Sequence, residues 1–494
     1  MMQRMPDHPK PSPGTFNPNN GRTNLAGRLI QPLCRFVRGD YITRDEAQAA
    51  FDRQRAHDGI GDRVMLWFAV LAVAALAGPT VVSELAFAPL VIFFFVRSRH
   101  TAGTWVHWLG QPMFLLVLLW TAWQATTLLW TGNTSLGLGE LGQNYWVLVG
   151  GLLWPIIHKR RTILAALAIG FAVAHLAQLV QLVGVLNHDG TYDPLFHRDP
   201  RRISGWWDPV VGGTMLVGAV GLHLPAALFW RGRSRWFARA GLLAALLGVI
   251  ATGSRGASLA AFALVLGSLL LMAWHRIRHG RAHHEDDTQS PRSRRRWLVP
   301  TAWAVPTVWV VPTMWVTIAL AAAAGLWFAA GPRLASRVQQ AQTELSQAAQ
   351  GETNTDIGRR IDMADWSVRA LGARPIRGTG AGGFRAWVES NGGPTVFDHA
   401  HNSALHIGAT TGLVGLTIWA MLVVVVIRNG VIHRRSLGDP AGTSGPLFAI
   451  LGLLLVSAFD VVHLNAQTGA LLWVLAGVCV TWEPDPPSPR TTHH

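Results

Sequence analysis

Long apolar segments restrict the fold of this chain more than any other feature of its sequence. About twelve of them occur, several of them short, at 63–79, 82–96, 112–130, 144–157, 162–186, 207–230, 236–252, 256–274, 305–330, 404–427, 446–463 and 466–482. A helix needs about 20 apolar residues to cross a hydrocarbon core about 30 Å thick. Because a backbone in hydrocarbon must satisfy its own hydrogen bonds, segments of this kind form helices. We therefore predict an all-α polytopic membrane protein with about twelve transmembrane helices.

The composition agrees with a membrane protein. Hydrophobic residues make up 50% of the 494-residue chain and charged residues only 14%, against about 25% charged residues in a typical soluble protein. The net charge of +15 would suggest a nucleic-acid partner for a soluble protein. In a membrane protein, an excess of lysine and arginine instead marks the cytoplasmic ends of the helices. We expect membrane lipids and no nucleic acid among the partners.

The basic residues predict the orientation of the chain. With the N-terminus in the cytoplasm, 30 of the 42 lysines and arginines fall on the inner side, and both termini are cytoplasmic. The opposite orientation would move most of these residues outside. The resulting division is a basic N-terminal segment at 1–62, helices one to nine at 63–331, an outer loop at 332–402, helices ten to twelve at 403–482 and a tail at 483–494.

Two short patterns occur in the N-terminal segment. One helical face carries Leu25, Leu29, Leu33 and Phe36 among arginines, as in a helix that lies on an anionic membrane surface. Thr43 and Glu46 form a capping-box pattern that opens a second, polar helix. A solvated basic tail is the alternative for both.

The twelve basic residues predicted outside are all arginines, and they occur in three places. Arg198, Arg201 and Arg202 precede the sixth helix, and eight more lie in the outer loop. The last, Arg255, sits in the tight turn GSRG at the membrane boundary, where an unpaired charge is costly. Arginine suits planar, bidentate recognition of phosphate or carboxylate. We interpret Arg255 as a ligand-binding residue, with a residue that snorkels to the interface as the alternative.

The outer loop, of about 70 residues, is long for a connection. Residues 333–350 predict a polar helix and residues 359–373 an amphipathic helix. The stretch RPIRGTGAGGFRAW at 374–387 is rich in glycine, which permits tight turns and close backbone approach. It does not follow a strand and open a helix, as a dinucleotide site requires. We expect either a turn that folds the loop back onto the membrane or a wall of a ligand site, and no nucleotide cofactor.

Histidines gather where the outer loop enters the tenth helix, in FDHAHNSALHIG. His399, His401 and His406 are candidate general bases because histidine titrates near neutral pH. If the helix begins near Asn402, His401 lies at its N-terminal edge, where the positive helix end disfavours imidazolium. His406 also fits an interhelical hydrogen bond. A metal set of His399, His401 and Asp398 is the rival interpretation, but the ligand set is incomplete and we predict no metal.

Together these residues predict a pocket at the outer leaflet in which arginines neutralise a multiply charged group and a histidine activates a hydroxyl. A lipid-linked diphosphate suits such a pocket, because fixed cations stabilise the negative charge that develops on its leaving group. Such a donor needs neither ATP nor a metal ion. Asp460 and His463, near the outer end of helix eleven, are further candidates, since an acidic residue at membrane depth is often functional. Pairing of Asp460 with an outer arginine is the alternative.

One motif at the tenth helix resembles that of the O-antigen ligase and O-antigen polymerase superfamily of bacterial inner membranes. The family pattern is histidine, a small polar residue such as asparagine, nine further residues and GxxG. Here it is matched by His401 and Asn402, then SALHIGATT, then Gly412 to Gly415. Three further segments are similar to family segments. They are ATGSRGASLAAFAL at 251–264, PIRGTGAGGF at 375–384 and, more loosely, RRISGWWDP at 201–209.

The resemblance implies roles for individual residues. His401 would be the general base for the acceptor hydroxyl, and Arg255 would bind the donor diphosphate. The family has an arginine upstream of a tryptophan in its long loop, which here corresponds to Arg360 before Trp366, with Arg359 as the alternative. The other substrate-binding candidates are Arg201, Arg202, His399, Asn402 and Arg377.

The resemblance also implies a GT-C-type glycosyltransferase of the bacterial inner membrane, with its active site facing the periplasm and with no cofactor. The expected activity is that of an O-antigen ligase, which moves a glycan from undecaprenyl diphosphate to a sugar hydroxyl of lipid A–core oligosaccharide in lipopolysaccharide biosynthesis, with inversion. A polymerase that extends the glycan and an oligosaccharyltransferase that acts on protein hydroxyls are alternatives with the same donor. A twelve-helix transporter is the alternative from another class, but the two halves show no repeat symmetry.

Overall fold

The computed structural model describes residues 44–187, 202–286, 339–394, 398–436 and 440–479. All regular secondary structure in these ranges is helical, as expected where backbone groups cannot bond to water. The predicted surface helix between Leu25 and Phe36, the apolar segment at 305–330 and the tail at 483–494 lie outside these ranges.

The helices before the outer loop are α1 Arg44–His57, α2 Gly59–Ala75, α3 Thr80–Val96, α4 Ser98–Leu109, α5 Pro112–Thr127, α6 Thr134–Gly142, α7 Val147–Leu153, α8 Arg160–Asn187, α9 Pro209–Phe229, α10 Arg233–Thr252 and α11 Arg255–Asp286. The outer loop contributes α12 at residues 339–349, α13 Asp356–Ala373 and α14 Phe384–Ser390. The last helices are α15 Ser403–Ser436, α16 Pro440–Val456 and α17 Ala466–Cys479. Short 3-10 turns occur at Leu128–Trp130, Gln143–Trp146, Trp154–Lys159 and Val462–Leu464.

Each predicted span that falls in the described ranges contains helix, but fewer helices have the length of a full span. Six of the described helices are long and apolar enough alone, and α3 with α4, bent by 92°, makes a seventh if the pair is one span. The predicted spans at 144–157 and 162–186 join in one tract, Thr134–Gly184. The chain is therefore a multi-pass membrane protein, and the number twelve stays a prediction.

α9 lies at the centre of the bundle, and 83% of the residues in its 18-residue apolar stretch are buried. Its sequence is rich in glycine and alanine, small residues that let helices in a membrane approach closely. A Cβ added at Gly213 would lie 2.8 Å from that of Ala257 in α11, and Gly221 contacts the backbone of Ala449 in α16. Large apolar side chains such as Trp67 and Phe262 are exposed on the outside of the bundle, as contact with lipid requires.

α1 is the polar helix that the capping pattern at Thr43 predicts, and a buried network ties it to the bundle. The side-chain amide of Gln54 donates hydrogen bonds to Asp62 at 2.7 Å and to the carbonyl of Pro155 at 3.0 Å. Asp62 also accepts a hydrogen bond from Arg97 at 2.9 Å. Because each charge in this network has an opposite partner, its burial is tolerated.

The outer loop has the two predicted helices. α12 lies within the predicted range 333–350, and α13 covers the predicted range 359–373. The glycine-rich turn, defined here as residues 374–383, then returns the chain to the bundle. The Thr131 hydroxyl donates to the carbonyl of Ala381 at 2.6 Å, and the Trp130 indole donates to that of Arg377 at 3.2 Å. These contacts show that the turn folds the loop back onto the bundle, and the role of a ligand-site wall stays a prediction.

The glycine-rich turn fills a break in α15. Gly412 has a φ of 68° and a ψ of −171°, which are not helical. On one side of the break the N–H of Thr379 donates to the carbonyl of Ala409 at 2.8 Å, and on the other the N–H of Leu413 donates to that of Pro375 at 2.7 Å. The turn thus satisfies groups that the broken helix leaves without helical partners, and it fixes the position of the residues that begin α15.

Candidate functional site

His401 lies in a short loop, residues 398–402, directly before α15. Its φ of 46° is in the left-handed region, which histidine adopts only occasionally. Asn402 is the N-cap of α15, because its Oδ1 accepts a hydrogen bond from the N–H of Leu405 at 3.0 Å. Its Nδ2 donates to the carbonyl of Ala458 at 3.0 Å. Asn402 therefore has a structural role beside His401, and its contact with substrate stays a prediction.

The carboxylate of Asp460 faces His401 from the loop after α16, residues 457–461. Its Oδ1 lies 3.5 Å from Nδ1 of His401 and accepts a hydrogen bond from the N–H of Val461 at 2.8 Å. Burial opposes ionisation of Asp460, but the interaction with His401 and the bond from Val461 outweigh it and keep the pKa of this carboxyl below its usual value. A carboxylate at this position favours the His401 tautomer with hydrogen on Nδ1, which leaves Nε2 able to accept a proton.

His399 lies against His401, with ring centroids 4.4 Å apart. Burial, followed by the neighbouring histidines, lowers the pKa of His399 to about 4, so its ring is neutral at physiological pH. Asp398 does not join the histidines as the predicted metal alternative required, because it bonds to Arg385 at 3.1 Å. The group that can hold a metal ion is instead His399, His401 and Asp460, whose ligand atoms lie within 4.8 Å of one another.

His406 has a structural partner. Its Nε2 lies 3.2 Å from Oε1 of Glu140 in α6, and its side chain is only 1% exposed. This contact is the interhelical bond that the sequence allowed as the alternative to catalysis. His399 and His401, with 37% and 29% of their side chains exposed, are the two histidines of this group that substrate can reach.

Arg255 is the first residue of α11, two residues after Gly253, which caps the C-terminal end of α10. A cation at the positive end of a helix is unfavourable by itself. Glu344 of α12 offsets this, because its Oε2 and Oε1 lie 2.9 and 3.3 Å from Nη1 and Nη2 of Arg255. The hydrogen bond from Arg255 also holds the pKa of Glu344 below its usual value. The planar fork of Arg255 thus binds an anion in the bidentate manner predicted for phosphate.

Arg255 and His401 lie at the same end of the bundle, on either side of the 457–461 loop. A Cβ added at Gly256 would lie 2.6 Å from that of Phe459, so the start of α11 packs directly on this loop. Phe459 precedes Asp460, which faces His401. One loop therefore joins the arginine half of the site to the histidine half.

Arg202 lies beside the turn that contains Arg255. Its Nε donates to the carbonyl of Thr252, the last residue of α10, at 3.0 Å. Its own carbonyl accepts a hydrogen bond from Gln181 at 3.4 Å. Arg201 lies outside the described residues.

Arg360 also belongs to this end of the bundle. It lies one turn after Ile357, whose N–H donates to Oε2 of Glu344 at 3.3 Å, the oxygen that also binds Arg255. The side chain of Arg360 is exposed and makes no hydrogen bond or ion pair with the described part of the chain. Its contact with the donor stays a prediction.

The other predicted loop arginines have different surroundings. Arg359 donates from Nη2 to Oδ1 of Asn354 at 2.7 Å, so this interaction engages its guanidinium. Arg377 is exposed on the glycine-rich turn. These differences favour Arg360 over Arg359 as the loop arginine of the site.

Two acidic residues complete the arrangement. Asp460 was a candidate because of its depth in the membrane, but its partner is His401 and not an arginine. Glu344 has no motif around it, and it was not among the candidates selected from the sequence.

A family model described as O-Antigen ligase matches residues 240–420. The matched range contains Arg255, Arg360, the glycine-rich turn and His401, and it ends before Asp460. The search of curated proteins gave no match.

Proposed function

We propose that this chain, in which residues 240–420 match the O-Antigen ligase family model, is an O-antigen ligase of the bacterial inner membrane. It transfers a glycan from undecaprenyl diphosphate to a sugar hydroxyl of lipid A–core oligosaccharide at the periplasmic side. The donor carries its own leaving group, so the transfer requires neither ATP nor a metal ion.

His401 acts as the general base in this proposal. Its Nε2 takes the proton of the acceptor hydroxyl while the hydroxyl oxygen forms a bond to the anomeric carbon. The bond between that carbon and the diphosphate oxygen breaks, and its electron pair leaves with undecaprenyl diphosphate. A single displacement inverts the anomeric configuration. Asp460 holds the His401 tautomer and stabilises the imidazolium that forms.

Arg255 and Arg360 bind the diphosphate and stabilise the charge that it gains as it leaves. In the structure, Glu344 occupies Nη1 and Nη2 of Arg255. A diphosphate carries more charge than a carboxylate, and we expect it to displace Glu344 from these two donors.

One observation carries the proposal. The 457–461 loop contacts the start of α11 through Phe459 and His401 through Asp460, so the helix that begins with Arg255 and the candidate base flank one loop. A base beside a cationic site is the minimum that a transfer from a diphosphate donor requires.

A narrow apolar cavity supports a donor with a lipid tail. It is lined by apolar side chains of α15, α16 and α17, among them Leu422, Leu454 and Leu472. Ser403 and Ser457 line it near the His401 loop. A short apolar segment of the donor in this cavity would lie beside Ser457, at the start of the 457–461 loop.

The test is transfer by the purified protein without ATP or added metal. Undecaprenyl-diphosphate-linked glycan is supplied alone, with lipid A–core, or with a peptide rich in serine and threonine. Glycan on lipid A–core is the expected product. Longer glycans from the donor alone would indicate a polymerase, and glycosylated peptide would indicate an oligosaccharyltransferase. No product in any of the three reactions would refute the proposed chemistry.

A further inference from the structure

The side chains of His399, His401 and Asp460 lie close enough together to form a set of metal ligands. His399 Nε2 lies 4.0 Å from Asp460 Oδ1, and His401 Nδ1 lies 3.5 Å from the same oxygen. All three ligand atoms lie within 4.8 Å of one another. Two imidazole nitrogens and one carboxylate oxygen are the ligand types that zinc-class ions prefer in proteins.

The spacing of these atoms suits a tetrahedral ion. Zinc binds nitrogen and carboxylate oxygen at about 2.0–2.1 Å, which requires tetrahedral ligand atoms to be about 3.3 Å apart. The distance from His401 to Asp460 exceeds this by about 0.2 Å and that from His399 by about 0.7 Å. The third distance, between the two imidazole nitrogens, is within 4.8 Å, so the rings must turn toward one another when an ion binds.

The surrounding structure holds this group in place and leaves it open. Asp460 is fixed by the N–H of Val461 at 2.8 Å and by the hydroxyl of Ser403, which donates to its backbone carbonyl at 3.1 Å. The side chains of His399, His401 and Asp460 remain 37%, 29% and 23% exposed. An ion in solution can therefore reach all three, with water as its fourth ligand.

We propose that a divalent ion of the zinc class binds His399 Nε2, His401 Nδ1 and Asp460 Oδ1, and that this binding inhibits glycan transfer. The inhibitory part rests on the proposed function, whereas the metal site itself rests only on the geometry.

The chemistry of inhibition follows from the tautomer of His401. In the active form, Nδ1 carries the hydrogen that faces Asp460, and Nε2 has the free electron pair. A metal ion on Nδ1 takes the electron pair of that nitrogen, so the neutral ring must carry its hydrogen on Nε2. Nε2 can then no longer accept the proton of the acceptor hydroxyl. The ion also removes Asp460 from its role as the partner of His401.

The metal site is tested first without reference to activity. The full-length protein is purified, stripped with EDTA and titrated with Co²⁺, whose visible absorption reports tetrahedral coordination. Because the chain has 20 histidines, the measurement compares wild type with His399→Gln and with His100→Gln, an exposed histidine of α4. The tetrahedral absorption should be lost in His399→Gln and retained in His100→Gln. Equal spectra for all three proteins would overturn the site.

Inhibition is tested on the same proteins in the transfer reaction with increasing Zn²⁺. Wild type and His100→Gln should be inhibited and then restored by EDTA. The Zn²⁺ concentration for half inhibition should rise at least about tenfold in His399→Gln, since even loss of an outer partner of a metal ligand weakens affinity by about 10–100-fold. Unchanged inhibition in His399→Gln, or activation of wild type by Zn²⁺, would overturn an inhibitory site. If His399→Gln does not fold, Asp460→Asn takes its place in the Co²⁺ titration.

The two measurements separate the metal site from the proposed function. A protein that shows the Co²⁺ difference but no transfer with any acceptor would retain the site and lose the glycosyltransferase. A protein that transfers glycan but shows no Co²⁺ difference would retain the function and lose the metal site.

Discussion

Replacing Gly412 by alanine should separate the glycine-rich turn from α15, whereas the same change at Gly408 should leave this contact intact. Gly412 has a φ of 68° and a ψ of −171°, in a region that is essentially restricted to glycine, where strain costs about 1–3 kcal/mol. A Cβ there would also overlap the carbonyl of Ile376 and lie 2.8 Å from the backbone nitrogen of Arg377. Since these are backbone atoms, the turn itself must move.

The magnitude follows from what this movement breaks. The N–H of Leu413 would lose its 2.7 Å hydrogen bond to Pro375, and a net hydrogen bond contributes about 0.5–1.5 kcal/mol. With the backbone strain, the expected destabilisation of Gly412→Ala is about 2–4 kcal/mol. Gly408 differs, because its Cβ would lie 3.5 Å from Leu371, an ordinary contact. Replacing Gly408 by alanine within the helix should therefore raise the free energy of unfolding by about 0.5–1 kcal/mol.

The assay is thermal unfolding of the purified variants in detergent, with glycan transfer measured on the same samples. Gly412→Ala should unfold at a temperature lower by a few degrees and lose most of its transfer, because the turn fixes the start of α15 next to His401. Gly408→Ala should unfold at or above the wild-type temperature. Equal unfolding temperatures for Gly412→Ala and wild type would refute the reasoning.

Three further substitutions test the site. Asp460→Asn removes the charge that orients His401. A hydrogen bond to a charged group contributes about 1.5–3 kcal/mol, and the 3.5 Å distance between Asp460 and His401 favours the lower end of that range, which corresponds to a kcat reduced by about tenfold. An unchanged kcat would exclude this role. Arg255→Lys keeps the charge but loses the planar fork, and the rate of transfer at limiting donor should fall sharply; near-normal turnover would count against diphosphate binding there. Glu344→Gln removes the carboxylate that competes for Arg255, so the KM for the donor should fall, whereas a raised KM would show that Glu344 is needed to orient the arginine.

The helices were predictable because the length and apolarity of a segment determine whether it forms a helix in hydrocarbon. The number of full spans was not, because these properties do not reveal where a helix bends. The 92° bend between α3 and α4 and the break at Gly412 depend on contacts with other parts of the chain.

Candidate residues could be selected from the sequence where a motif of fixed spacing surrounds them, as at His401 and Arg255, and their roles stay predictions. Their partners were harder to identify, since Asp460 and Glu344 lie far away in the sequence and meet them only through the packing of helices. The glycine-rich turn shows the same limit. Its glycines indicated close approach, but only the structure identifies the broken helix α15 as the element approached.

Glycan transfer by His401→Asn is the most direct test of a base at this position. Asparagine tolerates a positive φ better than most residues, so this variant keeps the loop conformation at φ 46° while it removes the imidazole. Transfer from undecaprenyl-diphosphate-linked glycan to lipid A–core is compared with wild type, and donor binding is measured on the same sample. We expect transfer to fall by about 10²–10⁴-fold with donor binding retained. Transfer by the variant at close to the wild-type rate would contradict a general base at His401.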